Sequence, residues 1–383
     1  GGLGWLAPLV NLVAVPVLAF WLAPLCLTAA LLPPLDALCW ELAGWPVAGF
    51  MALDGLLAGQ LDPWLRLRPS LPGVLAGLAG LLWLAGHRAL PYRLLALPLL
   101  LLPVLPPVAA LPAGRTELAL LDVGQGLALV LRQRDFTLVY DTGDGDPAGF
   151  NMASAVVQPF LEARGITRID LLVISHADSD HASGVAALRQ RFEVAEIWSG
   201  EPGLIGAPDV LRCVTGLRLQ RPGLSIVTLA PWRVDTQGNN SSCVLRLDIG
   251  GYRVLLPGDI EAPVEHGLIR RNPGALAVDA LLLPHHGSVS STSSALLNAT
   301  WPSLVLLSRG YHNRFGHPDP AVQRRLQAFG LSVCDTAEQG AILLALQNGE
   351  LVALTRWREA RRRYWSPLAS PDCGPAYNAG ETP

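Results

Sequence analysis

Six consecutive residues, His176-Ala177-Asp178-Ser179-Asp180-His181, bring two imidazoles and two carboxylates together in a chain that is only 15% charged. Neutral imidazole nitrogen and aspartate oxygen suit Zn²⁺ or Mn²⁺, with each added carboxylate favouring the harder ion. The spacing fits a pair of cations held side by side. The bland alternative is that Asp-Ser-Asp forms a turn or a helix cap and that the histidines are surface residues.

Three further stretches carry matching chemistry. Asp259, in LLPGDI, follows an apolar run and a Pro-Gly turn, where a carboxylate could bridge two cations about 3.5–4 Å apart. His285 and His286, in LLLPHHGS, end another apolar run and offer a further ligand. Asp141, in VYDTG, could accept a hydrogen bond from the second ring nitrogen of a ligand histidine and so orient it. Taken singly, an aspartate after Pro-Gly is a turn residue and a histidine pair is a surface pair.

The elements that must deliver these residues are short β-rich runs, among them ELALLDVG, FTLVYDTG, DLLVISHAD, YRVLLPGD and DALLLPHHG. Helical stretches such as AVVQPFLEARG and SGVAALRQRF fall between them. LLVIS and ALLLP are apolar on both faces and need cover on both, which predicts a layered α/β domain with sheets at its centre. Asp141, His176, Asp259 and His285 each stand at or just beyond such a run, so they are expected to converge on one sheet edge.

Residues 1–113 belong to a different solvent. Residues 3–32 carry no charge and predict a membrane span, with residues 71–86 and 94–113 as further candidates. Residues 36–62 mix Asp36, Glu41, Asp54 and Asp62 with Trp40, Trp45 and Phe50, which predicts a helix at the interface or lining a polar cavity. Arg66 and Arg68 lie in one connection and Arg88 and Arg93 in the next, so the positive-inside rule gives no orientation. The opening GGLGWLAP lacks the features of a signal peptide and reads as a chain entered part-way. From Arg115 onward charges recur as on a soluble surface.

A net charge of −3 excludes a global polycation, although all 28 basic residues are arginine. Arg356, Arg358, Arg361, Arg362 and Arg363 interleave with Trp357, Tyr364 and Trp365, a pattern that phosphate contact and base stacking would use and that a solvated helix end would equally show. The six cysteines have no CxxC spacing and imply neither a zinc knuckle nor a disulfide framework.

The order DTG, HxDxDH, GD, HH resembles the metallo-β-lactamase fold. LDVGQGLALVL, PHHGS and SRGYHNRFGHPDP, placed after an apolar region, narrow the resemblance to the ComEC family of DNA-internalisation competence proteins. The resemblance implies a metallo-β-lactamase-like αββα sandwich over residues 114–355, an all-α transmembrane region over residues 1–113 and an Arg/aromatic-rich tail over residues 356–383. It further implies a multi-pass inner-membrane protein through which one strand of incoming DNA passes, with a periplasmic domain that degrades the other strand. Single-stranded DNA, the lipid bilayer, other DNA-uptake machinery and further copies of the chain are the implied partners. His176 and Asp178 would hold one Mn²⁺ or Zn²⁺, Asp180 and His181 the other, Asp259 would bridge them and His285 would complete a shell. His317 would act as a further ligand or phosphate contact, Asp180 as orienter or base for the attacking water, and Asp122, Asp141, Gln125, His286 and Asn313 would support ligands or substrate. Two departures from the wider fold stand out: Asp178 replaces a histidine, and no histidine lies between His181 and Asp259. An inert channel module and a small-molecule hydrolase of the same fold are the competing readings.

Overall fold

The computed structural model describes residues 2–4, 7–58, 64–66, 71–86, 93–102, 111–233, 237–362 and 373. The chain divides into two compact units, Gly1–Val108 and Ala109–Pro383.

In the first unit, apolar helical chain runs through Ala7–Val17, Leu18–Leu22 and Ala23–Leu31, followed by the long helix Asp36–Ala58. The stretch Val10–Leu31, with a mean hydropathy of 2.2, is long and apolar enough to cross a membrane. It is the only such helix among the described residues. Residues 71–86 give the helix Leu71–Ala85, whose apolar part is shorter than a full span. The expected span over 94–113 is described only as a 3₁₀ turn Arg93–Ala96 and the short helix Leu97–Leu101, since residues 103–110 lie outside the described residues. An all-α region is corrected in one respect: Gly2–Gly4 pairs antiparallel with Trp64–Arg66.

The second unit is two sheets face to face with helices outside. One sheet has eight strands in the order Val210–Arg212, Ile197–Ser199, Leu171–Ile174, Phe136–Tyr140, Leu129–Gln133, Arg115–Leu120, Ile342–Gln347 and Glu350–Arg356. The other has seven, ordered Arg218–Arg221, Leu224–Ala230, Val244–Ile249, Tyr252–Leu256, Ala280–Leu282, Leu304–Leu307 and Val333–Asp335. Three apolar layers follow from that stacking. Leu118, Leu129, Leu138, Leu245, Leu256 and Leu306 fill the space between the sheets. Val157, Leu161 and Leu188 seat helices on one outer face, and Val264, Leu268, Leu297 and Val322 do so on the other. This is the αββα order expected for strands apolar on both faces.

The reading of the cysteines is corrected. Cys213 and Cys243 form a disulfide with Cα atoms 5.6 Å apart, and Cys334 and Cys373 form another with Cα atoms 5.1 Å apart. The partners are 30 and 39 residues apart in sequence, so short-range spacing carries no sign of them. Cys213 follows the edge strand Val210–Arg212 of one sheet and Cys243 precedes Val244–Ile249 of the other, so the first bridge ties the sheets together.

Candidate metal centre

At one edge of the sandwich the strands end in polar residues that face one another. Leu171–Ile174 leads into Ser175 and the His176–His181 turn, Tyr252–Leu256 into Pro257-Gly258-Asp259, and Ala280–Leu282 into the histidine pair. Gly258 sits at φ +59, and a Cβ there would stand 2.8 Å from Ser242 and 2.9 Å from Ser175. Gly126 of DVGQG lies so close beneath the turn that a Cβ would meet the Asp180 carbonyl oxygen at 2.4 Å. Only glycine leaves room for the serines at the first position and for the opposing backbone at the second.

Asp180, His181, Asp259 and His286 each direct one ligand atom to a common point, all within 4.8 Å of one another. His181 Nε2 lies 3.3 Å from Asp259 Oδ2 and 3.6 Å from Asp180 Oδ2, and His286 Nε2 lies 3.4 Å from Asp180 Oδ2. His176 stands next to this group, its ring centroid 4.3 Å from that of His181 and its Nε2 3.4 Å from Asp178 Oδ2.

Each of these three histidines is held by Nδ1. His181 Nδ1 lies 2.8 Å from Asp141 Oδ2, His286 Nδ1 lies 2.9 Å from the Ser308 carbonyl, and His176 Nδ1 lies 3.0 Å from Ser175 Oγ. In each, Nε2 is buried and has no hydrogen-bond partner. A buried, unsatisfied polar nitrogen costs about 1–3 kcal/mol. Three that converge beside carboxylates fit a divalent cation, with Nδ1 anchored as it is in ligating histidines. Asp141, His285 and His286 adopt φ of 58°, 51° and 52°, a left-handed conformation uncommon for residues other than glycine.

Charge follows the same geometry. Burial opposes a proton on His181, but Asp259 and Asp141 outweigh it and raise its pKa well above 6.5. Burial likewise opposes one on His286, and Asp259 with Asp180 overcomes it to raise that pKa. Burial disfavours the Asp180 carboxylate, yet the adjacent His286 imidazole and the charge of His181 bring its pKa down to about 2. Asp259, against the same burial cost, is held far below the ordinary range by His181 and His286. The His176 imidazole beside it lowers the pKa of Asp178. His317 moves the other way, its pKa lowered by burial and by the His286 and His285 imidazoles nearby.

The other sequence candidates fall at different distances from this centre. His286, read from the sequence as a support, lies in the cluster. His285 stands to its side, with Nε2 3.9 Å from Asp259 Oδ2 and 3.4 Å from Asn239 Nδ2. His317 reaches the rim, its ring 6.1 Å from that of His285. Gln125 and Asn313 bind loop backbone, and Gln125 Oε1 accepts from Gly310 N at 3.1 Å. Asp122 is engaged by Arg358 at 2.7 Å, and Arg356 pairs with Glu359 at 2.6 Å. Those two arginines therefore have acidic partners, Arg361 lies over Trp357, and Arg363 lies outside the described residues.

Sequence reasoning missed Ser175, Ser242, Glu201 and Asn239. Ser175 donates its backbone N–H and hydroxyl to Asp141 and touches both His176 and His181. Ser242 Oγ accepts from Asp259 N. Glu201 accepts from Ala177 N and Gly238 N, tying the histidine turn to the loop that carries Asn239. Asn239 faces His285 from that loop, within the interval that lacks a histidine. Ser175 was within reach, as the residue that joins an apolar strand to HADSDH; the rest depend on tertiary pairing.

Residues 1–113 match the competence protein family and residues 121–300 the metallo-β-lactamase superfamily. The chain is similar to competence protein ComA of Neisseria gonorrhoeae, 32% identical over 91% of this chain and 49% of that protein. It is also similar to recombination protein 2 of Haemophilus influenzae, 34% identical over 58% of this chain and 28% of that one. It thus spans about half or less of the length of these relatives. Among solved structures, the metallo-β-lactamase fold protein YhfI of Bacillus subtilis overlaps 57% of this chain and 95% of its own at 11% identity, with a TM-score of 0.40.

Proposed function

The chain belongs to the ComEC-type competence proteins, and on that premise we propose that its second unit hydrolyses phosphodiester bonds of DNA during uptake across the inner membrane. One strand would pass through a multi-pass channel to which residues 1–113 contribute, and the other would be cut, with the rest of the uptake machinery as partners. The observation that carries the reading is the trio of buried imidazoles, each anchored at Nδ1 and left open at Nε2 beside Asp180 and Asp259.

Asp180, His181, Asp259 and His286 would hold one cation, and His176 with Asp178 a second. Mn²⁺ or Zn²⁺ suits this mixture of nitrogen and carboxylate. Cations bound there would polarise a phosphoryl oxygen and make a water easier to deprotonate. The remaining work is done by the chain itself. Asp141, Ser175 and the Ser308 carbonyl hold the imidazole rings by Nδ1, so each Nε2 is already in place when a cation displaces its proton. Asp180 stays ionised because its pKa is about 2, and an ionised carboxylate accepts hydrogen bonds from the attacking water and orients it. His317 at the rim stays neutral near pH 7 and can hydrogen-bond a phosphoryl or leaving oxygen. The absent histidine is no bar to this reading, since Asn239 and His285 face each other on that side.

Two disulfides in the second unit support an oxidising compartment, hence the periplasmic side. The decisive experiment is cleavage of labelled single-stranded DNA by the full chain in detergent with Mn²⁺, Zn²⁺, Mg²⁺ or chelator, beside Asp180→Ala. Chelator-sensitive cutting that is lost in the variant is expected. A folded, DNA-binding protein that never cuts with any metal would instead favour the inert channel module, and preference for a small phosphodiester would favour a metabolite hydrolase.

A further inference from the structure

The loop that follows the strand Leu304–Leu307 carries aromatic and cationic chemistry that the metal centre does not use. It is rooted in that centre: the Ser308 carbonyl accepts from His286 Nδ1, and Ser308 Oγ donates to the Gly126 carbonyl at 2.7 Å. It is also held in one shape. Gln125 Oε1 accepts from Gly310 N, while Asn313 donates to the carbonyls of Gly310 and His317 at 3.2 and 2.8 Å and accepts from His317 N at 2.9 Å. Asn313 therefore clamps both limbs of the turn, which gives a role to two residues that make no contact with the cluster.

On this clamped turn His317, Phe315 and Arg314 pack in succession, starting beside His285. The His317 ring stands edge-on to His285, and the Phe315 ring lies nearly parallel to His317 at 5.7 Å and 24°. The Arg314 guanidinium sits 4.8 Å over Phe315. Tyr311 packs on His312 with centroids 4.2 Å apart. Phe315 is 56% exposed and Tyr311 65%, although both are large and apolar. Among the described residues Arg314 pairs with no acid, unlike Arg356 and Arg358. Rings more than half exposed and a cation with no acid partner, beside a metal centre proposed to take phosphate, match a flat and anionic ligand.

We propose that Tyr311, Arg314 and Phe315 form a platform that stacks an unpaired nucleobase next to the phosphate at the metal centre, so that single-stranded DNA is preferred to duplex. The inference rests on the phosphodiester reading above and adds to it which form of DNA is taken. Bases inside a duplex are stacked on one another and present only edges, whereas a single strand can turn a base out onto an exposed ring. Any of the four bases has such a face, so the platform selects strandedness and not sequence.

The test is binding to the full chain in detergent, with chelator so that nothing is cut, read by fluorescence anisotropy. The probes are a short oligothymidine and a strand of equal length with abasic sites in place of thymidines. The native chain should bind the base-bearing strand about 5- to 100-fold more tightly, the range expected for one or two stacked bases. Phe315→Ala should remove most of that preference, and Phe315→Trp should restore it. Equal affinity of the native chain for the two strands, or an equal loss for both in Phe315→Ala, would overturn the platform. Base-dependent binding in a protein that does not cut with any metal would leave the platform standing and remove only the hydrolysis.

Discussion

His181, Asp259 and His286 face one another from inside the sandwich edge with Asp180 at their margin, whereas Asp178 and His285 stand to the side of this group. The Asp178 side chain is 57% exposed, that of Asp180 29% and that of His285 22%, against 5% or less for His181, Asp259 and His286. The inner histidines have strong anchors, a buried carboxylate for His181 and a backbone carbonyl for His286. His285 has only Ser290 at 3.4 Å and Glu261 at 3.8 Å on its Nδ1 side. A cation on the inner side would meet mostly buried, anchored ligands; one on the outer side would be held by the buried His176 and by the exposed Asp178, for which water competes. The two sides are thus expected to differ in affinity, and the inner one should fill first.

The largest effect should come from Asp259→Ala, which removes the carboxylate facing His181, His285 and His286. Cleavage should fall to background and elemental analysis should find the metal lost; retained metal and activity would show that the inner side is not the binding centre. Asp141→Asn is the next strongest, since asparagine tolerates the left-handed backbone but no longer accepts as an anion from His181. Metal affinity should drop about 10- to 100-fold, measured by titration calorimetry, with cleavage regained at high metal concentration. Asp178→Asn should do less: calorimetry should lose the weaker binding step and keep the stronger. Loss of both steps together would abolish the distinction between the two sides.

The smallest effect concerns pH. His181 and His286 have raised pKa values, so the metal-free protein keeps their full stabilisation below pH 6.5 and loses it as pH rises through the folded values. Metal binding must displace those protons, so affinity should rise over the same range. The melting temperature should therefore fall with pH in chelator and rise with pH in Mn²⁺. Parallel pH trends in the two conditions would contradict the assignment of these two imidazoles as ligands. Asp180 adds the acid limb, since its contribution is present above pH 3.8 and lost as pH falls towards about 2.

The contrast between the two sides also explains what could be read in the sequence. The His176–His181 turn shows itself because one strand exit supplies four ligand types within six residues, and Asp259 because a carboxylate follows an apolar run and a turn. Which of His285 and His286 turns inward cannot be read, because both share a left-handed backbone and the choice is made by Ser308, a residue 22 positions away. The pairing of Arg358 is hidden for a similar reason: Asp122, which engages it, is 236 residues distant. The layered sheets were legible from runs apolar on both faces, since that pattern has no other way to leave water.

The disulfides have a consequence for how the protein is made. Within the second unit the four cysteines pair in the order they occur, Cys213 with Cys243 and Cys334 with Cys373. Four cysteines allow three connectivities, and of these only the consecutive one forms when each thiol joins the first partner to appear. A chain emerging from its N-terminal side into an oxidising space would close the bridge between the sheets before Cys334 arrives. Simple oxidation during export would then yield the native pairs, with no need for an isomerase to exchange them afterwards.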